Sequence, residues 1–204
     1  YLGYPFCKGR IFDSVEVDVG QYDQSEEIFW ASGAALFVRD SVYYELGGLD
    51  EHFFAHMEEI DLCWRMKSHG YQIYACPASV VYHIGGGTLS QQNSRKTFLN
   101  FRNGLRLLIK NYPSGKLWSV YFCRLLLDAL AGLQFLSKGK FSDFVAIIKA
   151  HWSVFGSLFI WLKFRKENKQ MDWAEFKNTS GFYNRSIVWQ FFVKKKKVFS
   201  DIEM

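Results

Sequence analysis

Three carboxylates occupy four positions at Glu58, Glu59 and Asp61, just ahead of an apolar and basic run that closes at Gly70-Tyr71. A carboxylate can take the proton of a hydroxyl group as that hydroxyl attacks carbon, because the hydroxyl is too weak an acid to ionise beforehand at neutral pH. The carboxylate must be ionised and held in one direction. The spacing predicts a helix with all three acids in its first turn, where free N–H groups and the positive end of the dipole favour anions. The dipole also weakens such a group as a base, so aim is gained at some loss of strength. Asp61 and Arg65 are four apart and can pair along one face. Leu62 with Met66, and Ile60 with Trp64, make apolar stripes. Gly70 suits a C-terminal cap, after which Tyr71-Gln72-Ile73-Tyr74-Ala75 reads as a strand. Helices that do no chemistry often start with acids too, so the neighbouring segments decide.

Upstream, Ser32-Gly33-Ala34-Ala35-Leu36-Phe37-Val38 reads as a strand whose small first residues let a ligand or another backbone come close. Arg39 to Leu46 fits a short helix ended by Gly47-Gly48. In Asp50-Glu51-His52-Phe53-Phe54, Asp50 can cap a turn, and Phe53 and Phe54 can anchor the loop in the core. Downstream, Ala78-Ser79-Val80-Val81-Tyr82-His83 reads as a strand. A single histidine at a strand end is usually structural. Here Gly85-Gly86-Gly87 follows, and its backbone could approach an anion.

Taken in order, Trp30-Ala31-Ser32-Gly33-Ala34, Gly47-Gly48-Leu49-Asp50-Glu51-His52-Phe53-Phe54, the Glu58-Glu59 stretch and Pro77 to His83 resemble the C-terminal half of the catalytic domain of inverting family 2 glycosyltransferases, in their rhamnosyltransferase-like branch. The resemblance covers residues 1 to about 113. It implies an α/β fold: the C-terminal, acceptor-side portion of a GT-A domain over 1–113, then a mainly α-helical, basic and aromatic tail over 114–204. It further implies transfer of a sugar from a nucleotide-diphosphate donor to a glycan or lipid-linked acceptor. Glu59 is then the expected base, with the choice between Glu58 and Glu59 open because glutamate stands where the family commonly has aspartate. Trp30, Ser32, Gly33 and Ala34 would adjoin the donor, Asp61 and Arg65 would support the site, and His83 would hold a divalent Mg or Mn ion. Arg102 is a further phosphate or carboxylate partner, or a structural ion pair. The family's Asp-x-Asp metal motif has no counterpart here, and the chain opens on Tyr1. The expectation is a piece of a longer protein that transfers little sugar alone.

Composition supports a folded chain with two unlike halves. Hydrophobic residues at 49% argue against disorder. Residues 1–100 carry 7 basic and 13 acidic side chains, a net of −6, and residues 101–204 carry 18 and 7, a net of +11. The basic half therefore suits an anionic membrane surface, or the polyanion of a nucleic acid. No helix-turn-helix, RNP-like or zinc pattern supports nucleic acid, and the expectation is that none binds. Four scattered cysteines with no CxxC pair suggest a reducing cytoplasm, with Cys63 and Cys76 as small buried residues. Val15 to Val19 alternates like a strand, and helices are expected over Lys96–Asn111, Leu117–Leu136 and Phe144–Arg165, with a seam near Tyr112-Pro113-Ser114-Gly115. Arg124 and Asp128, four apart within the strongly apolar Leu117–Leu136 stretch, argue against a lone membrane span and for a packed or interfacial helix at the inner face of the plasma membrane. Lys194 to Lys197 reads as a flexible, lipid-facing tail. Two rivals remain at this point: a non-catalytic module that binds membrane or a partner, and a metal-dependent hydrolase using Glu59 and His83.

Overall fold

The structure, a computed structural model, describes residues 2–83, 94–167 and 177–203. Strands among the described residues form two short antiparallel pairs: β1 (Arg10–Ile11) with β2 (Ser14–Val15), and β3 (Glu26–Glu27) with β4 (Tyr74–Ala75). The described residues also form six α-helices: α1 (Asp40–Glu45), α2 (Glu58–Ser68), α3 (Ser94–Asn111), α4 (Leu117–Ser137), α5 (Phe141–Gly156) and α6 (Leu158–Glu167). The chain is thus mixed α/β but rich in helix.

Helix α2 forms because both its stripes find partners. Ile60 and Trp64 enter one apolar cluster with Phe29, Phe53 and Leu105. Leu62, Cys63 and Met66 enter another with Val42 and Ile73. Burial on both sides covers every residue from Ile60 to Lys67. Gly70 ends the helix at φ 92°, a left-handed turn that a Cβ would strain, with its N–H donating to Lys67 O at 3.0 Å. Helix α3 is the central pillar, packed against α2, α4, α5 and α6. Leu105, Leu107, Leu108 and Ile109 on it are fully buried.

Several expected elements are shorter or absent. Ser32–Val38 is no strand; it turns, with Ala35 N–H donating to Ser32 O, and most of it is exposed. Ala78–His83 is also irregular and exposed, Tyr82 almost completely. Val15, Val17 and Val19 all face solvent, so that strand stops at Val15. Of Tyr71–Ala75 only Tyr74 and Ala75 pair. An extended segment needs a neighbour to take its backbone hydrogen bonds, and these segments have none among the described residues beyond the two pairs. The stretch expected as one helix over Phe144–Arg165 begins at Phe141 and breaks between Gly156 and Ser157, where α5 and α6 meet at a 61° bend. Cys76 is exposed, and only Cys63 is buried. The Lys194–Lys197 tail folds back: Lys197 Nζ lies 3.6 Å over the Phe191 ring, which packs with Ile11, Tyr183, Ile187 and Ile202. The glycine run 85–87 lies outside the described residues.

Candidate active site

The backbone ahead of α2 is wound tightly. Phe54, His56 and Met57 have φ of 67°, 68° and 78°, a left-handed region that costs energy for any residue with a Cβ and persists only where the surroundings enforce it. Helix α3 enforces it. The buried Asn103 amide donates to the carbonyls of Phe53, Ala55 and His56 at 2.9, 2.8 and 2.8 Å. Arg102 donates to Phe53 O at 3.0 Å and Arg106 to His52 O at 2.9 Å. Arg102 makes no ion pair among the described residues; its other bond goes to the Asn103 side chain at 2.9 Å, fixing the amide that does the bracing. Phe53 is fully buried and meets the Trp161 ring at 5.5 Å, whereas Phe54 is exposed, so one phenylalanine anchors the loop rather than two. Asp50 caps the 3-10 turn Glu51–Phe53 by accepting from His52 N–H at 3.0 Å.

This winding places Glu58 and Glu59 in the first turn of α2, with Met57 at its left-handed start. Burial pushes the Glu59 carboxyl above its ordinary pKa, and the Glu58 charge adds to this; the N–H groups of Glu59, Gly33 and Ile60 offset only part. The helix dipole alone would have lowered it. Loss of water around the carboxylate outweighs the dipole here, and the result is a stronger base. Gly33 lies against Glu59, since a Cβ on it would stand 3.8 Å from Glu59 Cβ. His56 is held below its usual pKa, by burial first and by the Lys96 charge second, against the pull of Glu58. Glu58 Oε2, Glu59 Oε2 and His56 Nε2 are all shielded from solvent without a hydrogen-bond partner among the described residues. Buried polar atoms are rarely left open, since each such atom costs about 1–3 kcal/mol.

The other expected site residues are distributed around this segment. Ser32, Gly33 and Ala34 form an exposed turn over α2, with Ala34 N–H 3.4 Å from Ser32 Oγ. Trp30 is half-buried and packs against both clusters that flank α2. Asp61 and Arg65 do pair, at 2.9 Å between Nε and Oδ2. Both are buried and already engaged: Asp61 also accepts from Lys110 at 2.9 Å and Asn111 at 2.7 Å, while Arg65 donates to the carbonyls of Leu46 and Gly48. Lys110 reaches on to Asp50 at 2.6 Å. Arg65 also lines an open groove with Leu49, Asp50, His52 and Lys110; Glu58 and Glu59 do not line it. His83 is exposed in its irregular segment. Among the described residues no group of three His, Cys, Asp or Glu could hold a metal ion. These residues therefore do not make a metal centre by themselves.

Two contributors were not assigned roles from sequence. Asn103 stands within a helix and braces a loop some 50 positions away, a relation no local pattern carries. His56 was visible beside the acids, but its open nitrogen depends on the backbone winding that precedes α2.

A loop wound under strain, held from a neighbouring helix, presenting a desolvated carboxylate with open acceptor atoms, fits a group-transfer enzyme that moves a proton at one oxygen. Comparison with known proteins relates the chain to glycosyltransferases. It is 40% identical over 60 residues to an N-acetylglucosaminyl-diphospho-decaprenol L-rhamnosyltransferase of Mycobacterium tuberculosis, covering 29% of this chain and 20% of that protein. It is 33% identical over 113 residues to a low-salt glycan biosynthesis hexosyltransferase of Haloferax volcanii, covering 52% of this chain and 36% of the relative. A rhamnosyltransferase of Escherichia coli is 33% identical over 54 residues, 26% of this chain and 20% of its own length. The chain thus spans between a fifth and little more than a third of these relatives. No protein-family model and no solved structure matches it.

Proposed function

We propose that this chain supplies the proton-accepting part of a glycosyltransferase of the GT-A type. The acceptor hydroxyl attacks the anomeric carbon of a nucleotide-diphosphate sugar from the face opposite the diphosphate. A new carbon–oxygen bond forms, the bond to the diphosphate oxygen breaks with its electron pair, and the hydroxyl proton passes to Glu59. Attack from that face inverts the anomeric centre. The observation that supports this reading is the Glu59 carboxyl: pushed up by burial, with one oxygen open, in the first turn of α2 directly after the loop braced by Asn103. The Glu58 charge beside it raises its affinity for the proton. Ser32, Gly33 and Ala34 present small side chains where donor sugar would lie against Glu59, and Trp30 backs them. The mycobacterial relative is named for an N-acetylglucosaminyl-diphospho-decaprenol, and on that basis we extend a lipid-linked acceptor to this chain. His83 would serve Mg or Mn as one ligand, and no step is assigned to that ion.

Replacing Glu59 with Gln in the natural protein tests the assignment. Removing a general base lowers transfer about 100-fold or more, and circular dichroism should show the fold intact. Transfer at the unaltered rate would remove Glu59 from the role. A full loss in Glu58→Gln, with Glu59→Gln active, would move the base one position back.

A further inference from the structure

Helix α4 carries more apolar surface than the other described residues cover. With the 3-10 turn before it, Ser114–Ser137 reaches a mean hydropathy of 1.4, a level met in membrane-crossing helices, yet only 22% of its most apolar stretch is buried. A core helix of that composition would be mostly covered. Trp118, Phe122, Leu126, Leu130 and Leu133 are 46–69% exposed and follow one another at three- and four-residue steps, so they form one stripe. The neighbouring helix repeats the pattern. Phe141, Ile148, Trp152 and Phe155 on α5 are 42–69% exposed, and Phe159 beyond the bend is 86% exposed. The two helices pack together at Gly132, where a Cβ would come within 3.2 Å of the Phe144 ring.

The opposite side of α4 is polar and sealed. Arg124 and Asp128 are buried and joined at 2.7 Å, Tyr4 Oη donates to Asp128 at 2.8 Å, and Arg124 donates to Gly3 O at 3.1 Å. A helix crossing a bilayer would have to leave these partners. The rim of the apolar face is basic: Lys116, Lys138, Lys140, Lys149 and Lys166 are exposed. The acids of α4 to α6 do not balance them. Asp128 is buried, Asp143 accepts from Thr97, and Glu167 lies 3.7 Å from Lys163.

We infer that the outer face of α4 and α5, with the start of α6, lies flat in the surface of an anionic phospholipid bilayer. The apolar stripes enter the acyl boundary, the two exposed tryptophans sit at head-group level, and the lysines meet lipid phosphates. A second copy of the chain is a poorer occupant, because the basic rims would face each other. The inference rests on these exposed faces and stands independently of sugar transfer.

Flotation of the 204-residue chain with vesicles tests it. Vesicles of phosphatidylcholine and phosphatidylglycerol should carry the chain upward, and vesicles of phosphatidylcholine alone should carry about tenfold less. Phe122→Ser with Phe155→Ser, both at exposed positions, should weaken flotation by about tenfold or more with an unchanged circular dichroism spectrum. Lys138→Ser with Lys140→Ser should reduce binding to the anionic vesicles and leave the residual binding to neutral ones. The inference is overturned if the phenylalanine pair binds like wild type, if neither vesicle floats the chain, if the bound chain resists alkaline carbonate as a spanning segment does, or if sedimentation shows a discrete dimer that the same pair dissolves.

Discussion

An ionised carboxyl group half removed from water is a burden on the fold and an advantage to proton abstraction. Glu59 shows both. Its folded pKa lies above the unfolded value, so it does no harm below about pH 4.3, its cost grows as pH rises past that value, and the cost is complete above the folded value. Glu59→Gln should therefore raise the melting temperature near pH 7 and leave it unchanged at about pH 4, as calorimetry at the two pH values would show. If Glu59 is the base proposed above, the acid limb of kcat/KM against pH should fall above the ordinary glutamate value of about 4.3. Glu58 and Glu59 were legible as a pair at a helix start. The sign of the Glu59 shift was not, because the dipole is a local property, whereas burial depends on what the fold packs around the carboxyl, with the distant Gly33 among its neighbours.

At the scale of elements, the long helices were legible and the strands were not. α2, α3 and α4 repeat apolar residues at helical steps and satisfy their own backbones. Ser32–Val38 and Ala78–His83 have strand-like composition, but a strand also needs a partner, and composition says nothing of that. The junction of α3 with the wound loop makes the second prediction. Asn103→Ala leaves the Phe53, Ala55 and His56 carbonyls without their shared donor. The expected loss is about 2–3 kcal/mol in urea unfolding. Transfer by the natural protein should fall in kcat more than in KM, since Asn103 holds the loop without touching substrate. Full activity together with lost stability would make Asn103 a structural residue only.

Across the whole molecule, buried charge joins distant segments. Arg124 and Asp128 tie α4 to Tyr4, Leu2 and Gly3 near the other end of the chain. Burial by itself would raise the Asp128 pKa, but Arg124, His151 and Tyr4 outweigh it and hold it low. Asp50 is likewise held low by Lys110 against its burial. Both contribute stability above the unfolded aspartate value of about 3.9, and that contribution is lost as pH falls through their lower folded values. Asp128→Ala should cost about 3–5 kcal/mol by stranding Arg124. Arg124→Met with Asp128→Leu should cost much less than the two single changes together, and a urea double-mutant cycle measures the difference. The uneven charge of the two halves was plain in the sequence; that the one cation buried in α4 reaches back to residues 2–4 was not.

Phe53, the hinge pin under the carboxylate loop, is walled by Trp161, and Trp64 of the acidic helix shares its apolar neighbourhood with Val120 and Val154. Severing the polypeptide after Pro113 would pull that wall away and open Phe53 and Trp64 to water. The acidic helix and the later helices share one core, so a shortened version that kept the acids without Val120, Val154 and Trp161 would leave Phe53 and Trp64 without part of their packing.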